Sequence, residues 1–222
     1  MEAVKLEYRK ISKAVIKRLP RYYRYLEDLI DEGIERISSG DLSKRMNVTA
    51  SQIRQDLNNF GGFGQQGYGY NVEYLHDEIG KILGLETEHS MVIIGAGNLG
   101  QALAKYPYFS QIGFKIKGIF DVNKDLEGVL VNNNPVRRLD ELEGFLKEND
   151  IEIAVLAIPK ETVEETAEIL VENGVKAIWN FVHTDLNLRL PKDIVVENVH
   201  LSDSLMRLSY NLTEHNMKSS NK

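Results

Sequence analysis

Three glycines between residues 95 and 100 constrain the fold of this chain more than any other feature. They follow a short apolar run and precede a segment with helical spacing, in MVIIGAGNLGQALA (91–104), which contains the pattern GxGxxG. In such a turn the first glycine permits the tight bend, the second admits a pyrophosphate close to the backbone, and the third lets helix and strand pack closely. The helix N-terminus then offers backbone amides to phosphate groups. The segment predicts the first unit of a parallel α/β sheet with a phosphate-binding turn.

The residue that ends the next apolar run indicates which dinucleotide this turn holds. Asp121 lies 21 residues after Gly100, where a carboxylate accepts hydrogen bonds from an adenosine ribose diol and repels a 2′-phosphate. The nearby basic residue is Lys124, with no arginine pair beside it, so NAD(H) is preferred to NADP. The predicted cofactor-binding residues here are Gly95, Ala96, Gly97, Asn98, Leu99, Gly100 and Asp121. Two alternatives stay open: a glycine turn that only packs a helix, and a site for coenzyme A, which also carries adenosine.

Short apolar runs alternate with helical segments from residue 90 onwards. Bounded apolar runs are typical of buried parallel strands, and their alternation with helices predicts a doubly wound, Rossmann-type α/β sheet. The predicted strands are 91–95, 116–120, 153–158 and 176–180, and the predicted helices are 98–106, 139–148 and 161–173.

The first 80 residues have a different composition and predict a winged helix-turn-helix. Two short helices, 41–46 and 50–59, are separated by a short link, with Ser39 and Thr49 as candidate N-caps. The segment FGGFGQQGYGYNV (60–72) that follows has five glycines and predicts a hairpin, or wing. A glycine-rich hinge between domains is the alternative. The predicted organisation is a winged-helix domain over 1–80, a linker over 81–89, a Rossmann domain over 90–200, and a C-terminal helix and tail over 201–222.

The formal net charge of −6 is unevenly distributed along the chain. Residues 1–80 contain 12 basic and 12 acidic residues, so the remainder carries the whole excess of acidic groups. Within residues 1–26, eight basic residues stand against Glu2 and Glu7. A positive end on an acidic protein favours a polyanionic partner. An ordinary solvated helix face accounts for the same charges.

Composition and motif content exclude several classes of function. The chain has no cysteine, which excludes disulfides, thiolate metal sites and thiol nucleophiles. No uncharged apolar run reaches the roughly 18 residues of a membrane span, so we predict a cytoplasmic protein with no membrane partner. We also predict no metal site.

A dehydrogenase needs a general acid or base beside the nicotinamide. None of the five histidines lies in a recognisable catalytic motif, and His183 and Lys160 are isolated candidates. The sequence therefore predicts a cofactor-binding sensor and not an enzyme, with an NAD-dependent dehydrogenase as an alternative.

Taken together, the two halves of the chain resemble the Rex family of redox-sensing transcriptional repressors. The stretches that carry the resemblance are RLPRYYRYLEDL (18–29), QIRQDLNNFGGFGQQGYGYNVEYL (52–75), GAGNLGQALAKYPYF (95–109), FD (120–121), AIP (157–159), KAIWNF (176–181) and VVENVHL (195–201). They cover nearly the full length, and their combination is far more specific than GxGxxG alone.

The resemblance implies a homodimer whose winged-helix domains bind a palindromic operator in double-stranded DNA. Its Rossmann domains bind NADH or NAD⁺, and a rise of NADH relative to NAD⁺ releases the DNA. The resemblance also implies an exchanged C-terminal helix. Leu201, Leu205, Leu208 and Leu212 form a stripe that suits burial against a partner helix, and packing onto the chain's own domain gives the same pattern.

The resemblance further implies roles for individual residues. The recognition helix corresponds to 49–58, and the wing tip to 65–67. The implied DNA-binding residues are Thr49, Ser51, Gln52, Arg54, Gln55, Asn58, Gln65 and Gln66. Tyr106, Pro159 and Asn180 join the cofactor site, and Arg18, Tyr106 and His200 form a relay that takes part in the switch.

The chain departs from the family pattern at several positions. Gln55 follows Arg54 where the family usually has a basic residue, and Gln65-Gln66 occupies a wing tip that is usually basic. Each lost phosphate contact removes about one unit of salt dependence, so we predict weaker and less salt-dependent DNA binding. His200 replaces an acidic partner of Arg18, and His183 replaces a proline. A divergent paralogue that binds NAD(H) or coenzyme A, with weak or lost DNA binding, is therefore an alternative.

Overall fold

The chain divides into two compact units, residues 1–87 and 88–222. The computed structural model describes residues 11–60, 64–65 and 68–220. The division falls inside the stretch that the sequence marks as a linker, 81–89, and hydrophobic clusters form separately in each unit.

Unit 1 is a bundle of short helices with a small antiparallel sheet. Its helices are α1 (Lys13–Ile16), α2 (Leu19–Asp31), α3 (Ser39–Met46), α4 (Ala50–Leu57) and α5 (Val72–Ile82), and its strands are β1 (Arg36–Ile37), β2 (Gly64–Gln65) and β3 (Gly69–Asn71). The strands are ordered β1-β3-β2. The helix pair α3–α4 followed by the β2–β3 hairpin confirms the predicted winged helix-turn-helix, and we call the hairpin with residue 68 the wing.

Short polar side chains determine where these helices begin. Thr49 Oγ1 accepts a hydrogen bond from the amide of Gln52 at 3.1 Å, as predicted for the start of α4. Ser38 Oγ accepts from the amide of Asp41 at 3.0 Å. The prediction that Ser39 is the N-cap of α3 was therefore wrong by one residue: Ser39 is already helical. Satisfying one amide of the first turn in this way contributes about 1 kcal/mol.

Helix α2 forms the centre of the core of unit 1. Leu19, Tyr22, Leu26 and Leu29 recur at intervals of three or four residues and are all fully buried. Their cluster includes Ile53 of α4, so the apolar face of α2 supports the helix that the sequence identifies as the recognition helix.

Unit 2 is built on one seven-stranded sheet. Its strands are β4 (His89–Ile94), β5 (Phe114–Asp121), β6 (Leu130–Val131), β7 (Asn134–Arg138), β8 (Ile153–Leu156), β9 (Ala177–Asn180) and β10 (Val195–Asn198), and its helices are α6 (Asn98–Ala104), α7 (Pro107–Gln111), α8 (Leu142–Glu148), α9 (Val163–Glu172) and α10 (Leu201–Ser220). The order is β10-β9-β8-β4-β5-β7-β6, parallel except for β6 with β7. This arrangement confirms the predicted doubly wound sheet.

The apolar runs are continuous because the central strands are buried on both faces. On β4, Val92 and Ile94 contribute to one cluster, while Met91 and Ile93 contribute to another. The sequence interpretation missed the β6–β7 hairpin and β10, because these strands, at or next to the edges of the sheet, are short and partly exposed and so lack a bounded apolar run.

Helix α10 leaves its leucine stripe uncovered. Leu201, Leu205, Leu208 and Leu212 are all exposed in the single chain. Within the described residues, no helix is both long and apolar enough to cross a membrane.

Candidate dinucleotide and DNA sites

Gly95 and Gly100 are required by the chain's own backbone. Gly95 follows β4 with φ +101°, and a Cβ there would lie 2.3 Å from the carbonyl oxygen of Ala157. A Cβ on Gly100 would lie 1.8 Å from the carbonyl oxygen of Gly95. Both distances are much shorter than a nonbonded contact, so these glycines allow β8 and α6 to pack closely against the turn. The fold alone explains them.

Gly97 has no such role within the chain. Its backbone is extended, with φ −70° and ψ −171°, a conformation that any residue adopts. Among the described residues, no atom that could obstruct a Cβ lies within 4 Å of the position it would take. Gly97 also provides no side-chain cap for the first amides of α6. The space that this glycine leaves open fits a pyrophosphate lying against the backbone.

Asp121 is held against the same turn. The amide of Ala96 donates to Asp121 Oδ2 at 2.6 Å, and the amide of Asn123 donates to Oδ1 at 2.7 Å. These two bonds fix the carboxylate at the end of β5. Since each carboxylate oxygen has two acceptor positions, both oxygens still have capacity for a ribose hydroxyl.

An arginine that the sequence interpretation missed lies on the strand beside Asp121. Arg138 of β7 is the register partner of Asp121, and its guanidinium donates to the carbonyl oxygen of Val122. The two lie 17 positions apart in sequence, so spacing gave no signal, and only the β5–β7 pairing brings them together.

The other predicted cofactor residues occupy different surroundings. Asn98 and Leu99 open α6, and Pro159 follows β8. Tyr106 is half-exposed, with its ring centroid 4.9 Å from that of Phe109. Asn180 ends β9 and is fully buried. Its Nδ2 donates to the carbonyl oxygen of Thr184 and to Asn198 Oδ1, at 2.7 and 2.8 Å, so its amide holds the β9 and β10 ends together.

Three of the predicted DNA-reading side chains on α4 are exposed. They are Ser51, Arg54 and Gln55. Arg54 Nη1 donates to Ser39 Oγ at 2.9 Å. Gln52 is half-buried, and its Nε2 donates to Asp56 Oδ1 at 2.8 Å. Asn58 is the C-cap of α4, so it lies at the opposite end of the helix from Thr49.

The side chain of Asp56, which the sequence interpretation did not single out, accepts four side-chain hydrogen bonds among the described residues of unit 1. It is buried and accepts Nε and Nη2 of Arg18, both at 2.7 Å, as well as the Tyr22 hydroxyl at 2.9 Å and the Gln52 amide. Burial and then the bond to Asp56 raise the pKa of Tyr22, so the phenol keeps the proton that it donates. Burial favours a raised pKa for Asp56, but the bonds from Arg18, Gln52 and Tyr22 outweigh it and hold that pKa below its usual range.

The three residues of the predicted relay lie in both units. Arg18 binds Asp56 within unit 1. His200 follows β10 in unit 2, and its ring lies 4.8 Å from that of His183, centroid to centroid. Its Nδ1 is buried without a hydrogen-bond partner among the described residues. The role of this relay stays a prediction.

Only part of the predicted wing tip is described. The backbone of Gln65 lies in β2, paired with Gly69 of β3. Gln66 falls outside the described residues.

Comparisons with known proteins match both halves of the chain. A sequence-family model described as "Putative DNA-binding protein N-terminus" matches residues 10–58, and one described as "CoA binding domain" matches residues 86–184. The redox-sensing transcriptional repressor Rex of Thermoanaerobacter pseudethanolicus is 55% identical over 94% of this chain and 92% of its own length. The Rex of Clostridium perfringens strain SM101 is 53% identical over 94% of this chain and 97% of its own length. The chain belongs to the Rex family of redox-sensing transcriptional repressors.

Solved structures of a Rex-family repressor have the same fold. RSP in complex with β-NAD⁺ and operator DNA matches with a TM-score of 0.86 and 54% identity, over 95% of this chain and 96% of that one. RSP in complex with β-NADH matches with a TM-score of 0.87 and 51% identity, over 96% and 99%. Because its Rex relatives are repressors by name, the prediction of a regulator and not an enzyme is confirmed.

Proposed function

We propose that this chain is a cytoplasmic repressor that binds a palindromic operator as a homodimer through unit 1 and NAD(H) through unit 2. It leaves the DNA when NADH rises relative to NAD⁺. RSP, which is 51–54% identical, was solved with operator DNA and with both forms of the cofactor. In this chain, the observation that carries the proposal is Gly97, a glycine that the fold does not require at the place where a pyrophosphate approaches.

On the DNA side, α4 enters the major groove. Its N-terminal amides contact phosphate, while Ser51, Arg54 and Gln55 reach base edges. Arg54→Ala then costs about 1–3 kcal/mol of binding free energy and changes base preference at one operator position. Unchanged affinity and preference would remove Arg54 from the base-reading set.

On the cofactor side, the turn at Gly97 binds the pyrophosphate and Asp121 accepts the ribose hydroxyls. The two redox forms differ at the nicotinamide, which is neutral in NADH and cationic in NAD⁺. A site that removes water from this ring penalises the cation and prefers NADH. Trp179 is the only tryptophan of the chain, so energy transfer from it to bound NADH reports the affinity directly, and NAD⁺ is measured by displacement.

Release of DNA requires that the two forms favour different arrangements of the dimer. Inverting a population from about 1:99 to 99:1 takes about 5.5 kcal/mol of differential binding. Two cofactors per dimer supply this with about 2.8 kcal/mol each.

The decisive experiment uses the full chain. An operator is first selected from randomised palindromic duplexes by the cofactor-free protein, and DNA retardation is then measured at constant total NAD(H) while the NADH fraction is varied. Retardation falls as the NADH fraction rises. A DNA complex that forms equally well at every ratio contradicts redox sensing, and failure to select any duplex contradicts DNA binding.

The match to the CoA binding domain model favours one second candidate, a coenzyme A sensor. In that case coenzyme A displaces NADH at lower concentration than NAD⁺ does, and it alters DNA retardation when added alone. The proposal of an NAD(H) sensor requires neither effect.

A further inference from the structure

An arginine of β1, Arg36, lies over an aromatic ring of the wing. The Arg36 guanidinium lies 5.9 Å from the centroid of the Tyr68 ring. Arg36 begins β1, pairs with Asn71 of β3, and is exposed, whereas Ile37 after it is buried. Tyr68 precedes β3 and is 70% exposed. Both side chains thus meet at the surface of unit 1.

Gly69 fixes Tyr68 beside this strand. Its φ is +72°, and a Cβ there would lie 2.5 Å from the carbonyl oxygen of Ile37. The start of β3 is therefore in direct backbone contact with Ile37 and Ser38 of the segment 36–39. Ser39, at the other end of the same segment, accepts the hydrogen bond from Arg54 of α4. The four residues 36–39 thus connect the wing to the predicted recognition helix.

Among the residues that the structure describes, Arg36 has no carboxylate partner, unlike the nearby Arg45 and Lys44. Arg45 is paired with Glu32 at 2.7 Å, and Lys44 is paired with Asp41 at 3.0 Å. Within the described part of the chain, Arg36 forms no ion pair and its described contact is the Tyr68 ring. A guanidinium over a ring still directs its N–H groups outward, in a planar fork that fits two phosphate oxygens.

We propose that Arg36, positioned by Tyr68, binds a backbone phosphate of the operator and supplies positive charge beside a wing whose sequence contains the uncharged pair Gln65-Gln66. This inference rests on the proposed DNA binding. Arg36 is the binding residue and Tyr68 is a positioning residue. A phosphate contact carries no sequence information, so Arg36 contributes to affinity and not to base preference.

The test is the salt dependence of operator binding by the full chain without cofactor. Each phosphate contact contributes about 0.9 to the slope of log K against log salt, so Arg36→Ala in both subunits of a dimer lowers the slope by about 1.8. Between 50 and 200 mM salt, the wild-type affinity then falls about tenfold more than that of the variant. The loss of affinity caused by Arg36→Ala is the same on operator and on scrambled duplexes. Arg137→Ala is the matched control: Arg137 lies over the Phe145 ring at 5.3 Å in unit 2, and its removal leaves the slope unchanged.

Three further variants separate charge from position. Arg36→Lys keeps the charge and the wild-type slope but weakens binding, because the planar fork is lost. Tyr68→Phe binds like wild type, and Tyr68→Ala weakens binding with no further loss when combined with Arg36→Ala. A wild-type slope in a folded Arg36→Ala protein, or additive losses in the double variant, overturns the inference. If the wild-type protein selects no operator, the proposed function fails instead, so the two failures are distinguished.

Discussion

Arg18 and Asp56 form a doubly hydrogen-bonded ion pair that connects the start of α2 to α4, the predicted recognition helix. Nε and Nη2 of the arginine each lie 2.7 Å from a carboxylate oxygen, across 38 positions of sequence. The aspartate is buried, and it also accepts hydrogen bonds from Tyr22 and Gln52. The orientation of α4 in unit 1 therefore depends on one buried carboxylate as well as on apolar packing.

Removing that carboxylate destabilises unit 1. Asp56→Ala leaves Arg18 and the buried Tyr22 hydroxyl without their acceptor, and breaking a buried pair in this way costs about 3–5 kcal/mol. Calorimetric unfolding of the full chain measures the loss. The matched control is Glu32→Ala, which breaks an exposed Arg45 pair of the same two-bond geometry and has a much smaller effect because water replaces the partner. Equal losses in the two variants would contradict a structural role for the buried pair.

Acid weakens unit 1 through the same residue. Hydrogen bonds hold the pKa of Asp56 below its usual range in spite of burial. A carboxyl with a depressed folded-state pKa contributes stability above its unfolded-state pKa, about 3.9, and loses that contribution as the pH falls through the folded-state value. The free energy of unfolding, measured between about pH 6 and 2, therefore declines below about pH 4. Asp56→Asn shows a shallower decline, and parallel profiles for variant and wild type would refute the assignment.

The two kinds of glycine in the turn respond differently to a methyl group. The free energy of unfolding of Gly97→Ala stays within about 0.5 kcal/mol of wild type, since the new Cβ meets no described atom. The NADH affinity of this variant falls at least tenfold, because the methyl group occupies the pyrophosphate position. Gly100→Ala loses stability, because its Cβ collides with the Gly95 carbonyl. Thermal unfolding and energy transfer from Trp179 measure the two effects. A Gly97→Ala protein that binds NADH like wild type would show that the open space is not the phosphate site.

We expect Asp121 to set the preference between NADH and NADPH. Asp121→Asn weakens NADH binding by roughly tenfold or more, because a charged hydrogen bond of about 1.5–3 kcal/mol is lost. The same substitution raises the affinity for NADPH relative to NADH, because the 2′-phosphate is no longer repelled. The control Asp125→Asn changes an exposed aspartate four residues on and leaves both affinities unchanged. If the NADH to NADPH ratio is the same in all three proteins, Asp121 does not contact the ribose.

Local patterns predicted the elements, and long-range pairing decided their surroundings. The GxGxxG turn and the Thr49 cap are set by neighbours within a few residues, so the sequence located both. Arg138 beside Asp121, and Arg36 beside Tyr68, depend on strand register and turn contacts across 17 and 32 positions, for which a single sequence carries no periodic signal.

By itself, the sequence determined that a helical segment with a glycine-rich hairpin precedes a parallel sheet with a GxGxxG turn, because caps, glycines and apolar periodicity act over one or two turns of chain. The tertiary structure alone decided that Gly97 is free of steric demands while Gly95 and Gly100 are not, because only packed strands determine what a Cβ would meet. It also decided that Arg18 is neutralised by Asp56 within unit 1, since that ion pair exists only where α2 and α4 are packed together.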